Sequence, residues 1–176
     1  RSTLFPYTTL FRSLLSTIER HNAFADDPMQ VRGGWAMDIS ELYAMAGVKP
    51  DDLDVVQTYD DYPVITMMQF EDLGFCNKGE GAAFVRQHDL TVDGDFPHNT
   101  SGGQLSAGQA GAAGAYLGLV EGLRQVLGEA GPTQVKDARL ALASGFGMIN
   151  YDRGLASGAA IFAGRSEERR VGKECR

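Results

Sequence analysis

Long hydrophobic runs are missing from this chain: no stretch approaches the roughly 20 apolar residues needed to span a bilayer. Cysteine is almost absent, with 2 in 176 residues. One of them, Cys175, falls in a tail discounted below, which leaves Cys76 without an intrachain disulfide partner; a cytoplasmic setting is the expectation. Histidine is equally sparse. His21, His88 and His98 are scattered and sit at no ligand spacing from a cysteine or glutamate, so no metal site is expected. Basic residues are outnumbered, 16 Lys+Arg against 23 Asp+Glu, which argues against a nucleic-acid or anionic-membrane surface. No internal repeat or low-complexity stretch stands out.

The two ends are unusual. Codons for RSEERRVGKECR (165–176) can be chosen so that the complementary DNA strand encodes STLFPYTTLFRS (2–13). Natural termini have no reason to be antisense translations of one another. We expect 1–13 and 165–176 to be translated sequencing-adapter DNA and set them aside. They hold 7 of the 16 basic and 3 of the 23 acidic residues, so 9 and 20 remain, a formal charge of −11. A few local donors can still bind an anionic substrate inside such a protein. About 150 residues are enough for one domain with a real core.

Residues 14–34, polar and irregular with Pro28 and Gly33-Gly34, read as a connector, and 35–164 as the domain. Ile39, Leu42, Tyr43 and Met45-Ala46 are spaced for a helix over 38–46, with Gly47 as its C-cap. Leu53–Tyr59 reads as a buried strand. Asp60 or Asp61 is suited to cap the next helix, with Pro63 in its first turn. Met67, Met68, Phe70 and Leu73 should face inward, and Gly74 ends it. A short helix follows within 79–88, then a loop or hairpin over 89–98. The glycine-dense stretch 99–127 leads into a helix whose first turns are tiny, which predicts a central, buried element with free N–H groups at its start. Ala138–Ser144 and Gly158–Ala163 read as two strands joined by a glycine-containing loop. Helices mixed with short apolar strands make the class α/β.

Taken singly, the motifs are weak. Gly108, Gly111 and Gly114 form neither a dinucleotide fingerprint nor a phosphate loop. Asp89, Asp93 and Asp95 lack EF-hand spacing, and Cys76 past a helix end reads as a small buried residue. Taken together, three stretches carry a resemblance. DVVQTYDDYPVITMMQFEDLGFCNKGEGAAFV (54–85) and HNTSGGQLSAGQAGAAG (98–114) resemble passages of thiolases of the sterol-carrier or lipid-transfer type. ASGFGMINYDRGLASGAAIF (143–162) occupies the place of their closing loop and last strand. The resemblance covers nearly all of 30–164 and implies the C-terminal half of a thiolase fold, a mixed sheet packed with helices. It also implies a thiolase-like acyltransferase acting on an acyl-CoA substrate, with the CoA thioester as substrate and no separate cofactor. A missing N-terminal half would hold the cysteine nucleophile, so this chain alone should be inactive. A homodimer or an OB-fold partner protein is implied as well.

Departures from that pattern single out the candidate residues. Tyr59 stands where a carbonyl-polarising histidine would be, Asp61 where a catalytic cysteine can be, and Gln109 where the histidine of a GHP motif would be. Gly154-Leu155-Ala156-Ser157 replace a late cysteine. Gln109 can donate a hydrogen bond to an oxyanion but accepts no proton at neutral pH. Tyr59 can donate a hydrogen bond or, with a depressed pKa, act as an acid or base. Ser106 and Gly108, in the glycine-dense turn, are the candidate substrate-binding positions. Relatives with a YDxF-like stretch resemble retro-aldolases of β-hydroxyacyl-CoA, and Tyr59–Tyr62 suits that variant. A non-catalytic subunit that binds acyl-CoA or a partner is the remaining reading.

Overall fold

The computed structural model describes residues 13–109, 111, 115–150 and 153–164. The tails 1–13 and 165–176 thus lie outside the described residues, apart from Ser13. The chain begins with strand β1 (Ser13–His21), followed by helix α1 (Trp35–Ala46), strand β2 (Val55–Gln57) and helices α2 (Pro63–Asp72), α3 (Gly81–Gln87), α4 (Gly103–Ala107) and α5 (Ala115–Leu127). Strands β3 (Leu140–Asn150) and β4 (Arg153–Ala163) close it. Four strands form one mixed sheet in the order β1-β4-β3-β2. β4 runs antiparallel to both β1 and β3, while β2 and β3 are parallel. The fold class is α/β, as the sequence indicates.

Alternation along β3 divides two cores, because successive side chains of a strand point to opposite faces. Leu142 and Phe146 join Trp35, Leu42 and Ile161 on the α1 side. Ala141 and Ala143 join Val126 and Phe162 on the α5 side. Trp35, Leu42 and Phe70 are fully buried, each contributing on the order of 2 kcal/mol from apolar area removed from water. The expected close approach of the central helix occurs at Gly118 and Gly122, whose added Cβ atoms would lie 3.2 Å from Gln57 and 2.7 Å from Phe162. At Gly108 and Gly111 nothing lies within 4 Å. Residues 110 and 112–114, the small-residue entry to α5, fall outside the described residues.

Several sequence expectations change. Residues 14–21, read as part of an irregular connector, form edge strand β1, paired with β4 from Ser13↔Ala163 to His21↔Ala156. A bulge between Leu14 and Ser16 breaks the alternation that would have announced it. The strand read over 53–59 keeps only Val55–Gln57. β3 and β4 each extend through glycines read as loop, pairing Gly145 with Gly158 and Ile149 with Gly154. Glycine weakens a strand signal, yet Gly154 is needed: a Cβ there would lie 2.1 Å from the Phe146 ring. Finally, Tyr62, not an aspartate, stands at the N-cap of α2, with no side-chain cap bond, and Pro63 takes the first turn. Asp60 is engaged elsewhere.

Candidate active site

The ladder of β2 ends at Gln57, and the next two residues take their backbone partners from side chains. Asn99 Oδ1 accepts the Thr58 N–H at 2.9 Å, and Asn99 Nδ2 donates to the Thr58 carbonyl at 3.1 Å. Gln69 does the same for Tyr59. Its Oε1 accepts the Tyr59 N–H at 3.2 Å and its Nε2 donates to the Tyr59 carbonyl at 2.6 Å. Asp60 reaches across to the glycine-rich turn, where its Oδ1 accepts the Gln104 N–H at 2.7 Å. That contact needs Gly103, because a Cβ there would sit 2.1 Å from Asp60 Oδ2. Gly103 also has φ +60, a conformation that side chains other than glycine rarely take. The strand end and the turn are therefore fastened together.

This fastening brings three of the sequence candidates, Tyr59, Asp61 and Gln109, to one point. Gln109 Nε2 donates to the Tyr59 hydroxyl at 2.7 Å, and the Asp61 carboxylate is near enough to act on the same hydroxyl electrostatically. Tyr59 is half-buried, with its ring 6.4 Å from that of Phe146. It lines a depression of about 640 Å³ together with Gly111, Leu119, Ala143, Gly145 and Gly158. That volume lies within the range of roughly 300–1,000 Å³ typical of small-molecule sites. Ser106 and Gly108 are exposed along α4 and its end. Among the hydrogen bonds of the described residues, neither is joined to the Tyr59 hydroxyl.

Electrostatics fix the state of the phenol. Burial, and next the Asp61 carboxylate, push the Tyr59 pKa up, outweighing the opposing hydrogen bond from Gln109. Tyr59 therefore stays protonated at neutral pH, and of the two roles open to it this environment favours the hydrogen-bond donor. His98 sits beside Thr58, the residue before Tyr59. Its Nε2 lies 2.8 Å from Thr58 Oγ1 and its ring packs edge-on against Phe70. Burial pushes its pKa down to about 3, so it stays neutral and structural. Cys76 follows the end of α2, and burial raises its thiol. Among the described residues no group of three or more His, Cys, Asp or Glu could hold a metal ion, and no helix is long and apolar enough to cross a membrane.

A family model described as thiolase C-terminal domain-like matches residues 19–156. The chain belongs to this family. It is a thiolase-superfamily protein of the sterol-carrier type. Over 88 residues it is 41% identical to the 17-hydroxy-3-oxo-4-pregnene-20-carboxyl-CoA lyase of Mycobacterium tuberculosis, covering 50% of this chain and 22% of that protein. Over 106 residues it is 35% identical to sterol carrier protein 2 of Oryctolagus cuniculus, covering 60% of this chain and 19% of that protein. The chain thus spans about a fifth of the length of these relatives. Among solved structures it is similar to the Ltp2-ChsH2(DUF35) aldolase, with a TM-score of 0.65 and 25% identity over 86% of this chain and 39% of that one. The family's mixed sheet and helices are those described above.

Gln69, Asn99 and Asp60, which hold the site together, escaped the sequence reading. One signal was present. Of the buried positions of α2, three, Thr66, Gln69 and Asp72, are polar where an inward face asks for apolar residues.

Proposed function

We propose that this chain supplies the proton-handling half of an enzyme acting on a CoA thioester. The reaction is cleavage of the carbon–carbon bond of a β-hydroxyacyl-CoA rather than acyl transfer. One observation carries the reading: the Tyr59 hydroxyl, held protonated beside the Asp61 carboxylate, receives a hydrogen bond from Gln109. In such a cleavage a base removes the β-hydroxyl proton and the Cα–Cβ bond breaks. The β-carbon becomes a carbonyl, the electron pair passes to the thioester as an enolate, and Cα then takes a proton. The chemistry needs donors at the developing oxyanion and one group that moves a proton. The second N–H of the Gln109 amide is suited to that oxygen. Tyr59 is suited to return the proton, and the Asp61 carboxylate to receive one. Ser106 and Gly108, exposed beside Gln109, are the positions assigned to the CoA chain.

Two similarities support cleavage over transfer: one relative is a CoA lyase and the similar structure is an aldolase. The two-part name of that aldolase also supports a partner subunit here. The test is Tyr59→Phe in the intact protein, with its remaining segments and any partner. Turnover of a β-hydroxyacyl-CoA should fall by more than about tenfold with the fold unchanged. Unchanged turnover would remove Tyr59 from the mechanism. Retained CoA-ester affinity with no turnover of any thioester, with or without a partner, would point instead to a binding subunit.

A further inference from the structure

Gln69 is fully buried on α2, a place where an apolar side chain would cost less to bury. Its amide has two acceptor sites and two donor hydrogens, and all four are used. Oε1 accepts from the Tyr59 N–H and, at 2.6 Å, from Ser144 Oγ on β3. Nε2 donates to the Tyr59 carbonyl and, at 3.1 Å, to the Ile65 carbonyl. This set of partners also fixes which end of the amide is oxygen, since the reversed orientation would aim a donor at an N–H and an acceptor at two carbonyls. Two of the four bonds form a closed ring with the backbone of Tyr59, just where the β2 ladder has run out. The other two anchor the amide, one to a central strand and one to the first turn of its own helix.

We infer that Gln69, anchored by Ser144, is the positioning residue of this site, setting the backbone of Tyr59 so that its hydroxyl meets Gln109. The inference rests on the catalytic reading above only for its effect on turnover. The geometric part stands apart from it. A side chain on a strand end with no second neighbour is free to swing about its backbone. A ring of two hydrogen bonds from a buried amide removes that freedom in advance of any substrate, which is what a group placed for catalysis requires. Asn99 performs the equivalent service for Thr58, but only the Gln69 ring encloses the residue that carries the phenol.

The experiment uses the full chain with tyrosine labelled by carbon-13 at Cζ. Tyr59→Phe identifies the Tyr59 resonance among the 6 tyrosines. In the unsubstituted chain this resonance should titrate above the ordinary phenol value of about 10. Gln69→Leu should shift it at neutral pH and bring its titration back toward that value, while the far-ultraviolet circular dichroism stays native. Gln69→Glu keeps the shape and both acceptor bonds, but sets a carboxylate oxygen against two carbonyls. Its Tyr59 resonance should be displaced at neutral pH and return towards the unsubstituted position at acid pH, where the carboxyl becomes a donor. A role in packing alone predicts no such recovery. Should Gln69→Leu fail to fold, Ser144→Ala removes the anchor bond alone and should displace the resonance part of the way. A Tyr59 resonance unmoved in every folded variant overturns the inference. In the intact enzyme, Gln69→Leu should lower kcat about tenfold with KM within about twofold. A displaced resonance in an enzyme that turns over no thioester, substituted or not, defeats the catalytic reading and leaves the positioning role standing.

Discussion

His98 shows how one half-buried side chain couples this site to solution conditions. It is hydrogen-bonded to Thr58, the neighbour of the proposed catalytic tyrosine, and its pKa is pushed down to about 3 by burial. The folded chain therefore binds fewer protons than the unfolded one between that value and the ordinary 6.5. Stability from the neutral imidazole is complete above 6.5 and is lost progressively as pH falls. Glu71 and Asp38 work in the same direction at lower pH. Glu71 is held low by backbone N–H groups and Lys78 against the opposing effect of burial, and Asp38 by Arg20. Replacing His98 with Gln should flatten the decline in urea midpoint between about pH 6.5 and 4, leaving the steeper loss below pH 4 in place. An unchanged slope would place the titration elsewhere. At this scale the sequence was informative about chemistry and silent about support. Tyr59, Gln109 and Asp61 were legible because they depart from a family pattern. Gln69, Asn99 and Asp60 were not, because their roles depend on contacts between residues 10 to 44 positions apart.

Among the elements, β3 and β4 were the hardest to bound. Gly145, Gly147, Gly154 and Gly158 lower the β signal, so the sequence reading stopped at Ser144 and restarted at Gly158. What keeps the strands running is an exchange of volume: Phe146 fills the space left by the missing side chain of Gly154. Gly154→Ala should therefore destabilise the fold by about 1–3 kcal/mol, the usual range for overpacking. Phe146→Leu in the same background should recover part of that loss, as a double-mutant cycle of urea midpoints would show. Additive effects would mean that the two positions do not compete for space. The helices were read more closely. Gly47 does close α1 in the left-handed conformation, and Phe70 and Leu73 are indeed buried on or beside α2. Periodicity of 3.6 survives in a sequence better than a three-residue strand does.

For the whole molecule, the resemblance to sterol-carrier-type thiolases was visible from motif order alone, and the family match now spans residues 19–156. Sequence reading could not place β1 within the sheet, since its pairing with β4 links residues more than 130 positions apart. In isolation, residues 14–164 should show no measurable turnover of any acyl-CoA, because the chain matches only about a fifth of the length of its relatives. An assay of acyl-CoA consumption by the purified chain checks this, and sustained turnover would contradict it.

Thr58 and Tyr59 satisfy their main-chain groups through the amides of Asn99 and Gln69, so the identity of the side chain at position 59 carries no share of the backbone's bonding. The frame is indifferent to what it displays. A histidine or an asparagine could stand there without disturbing the ring that holds it, and a scaffold of this kind can exchange one reaction for another by changing a single side chain.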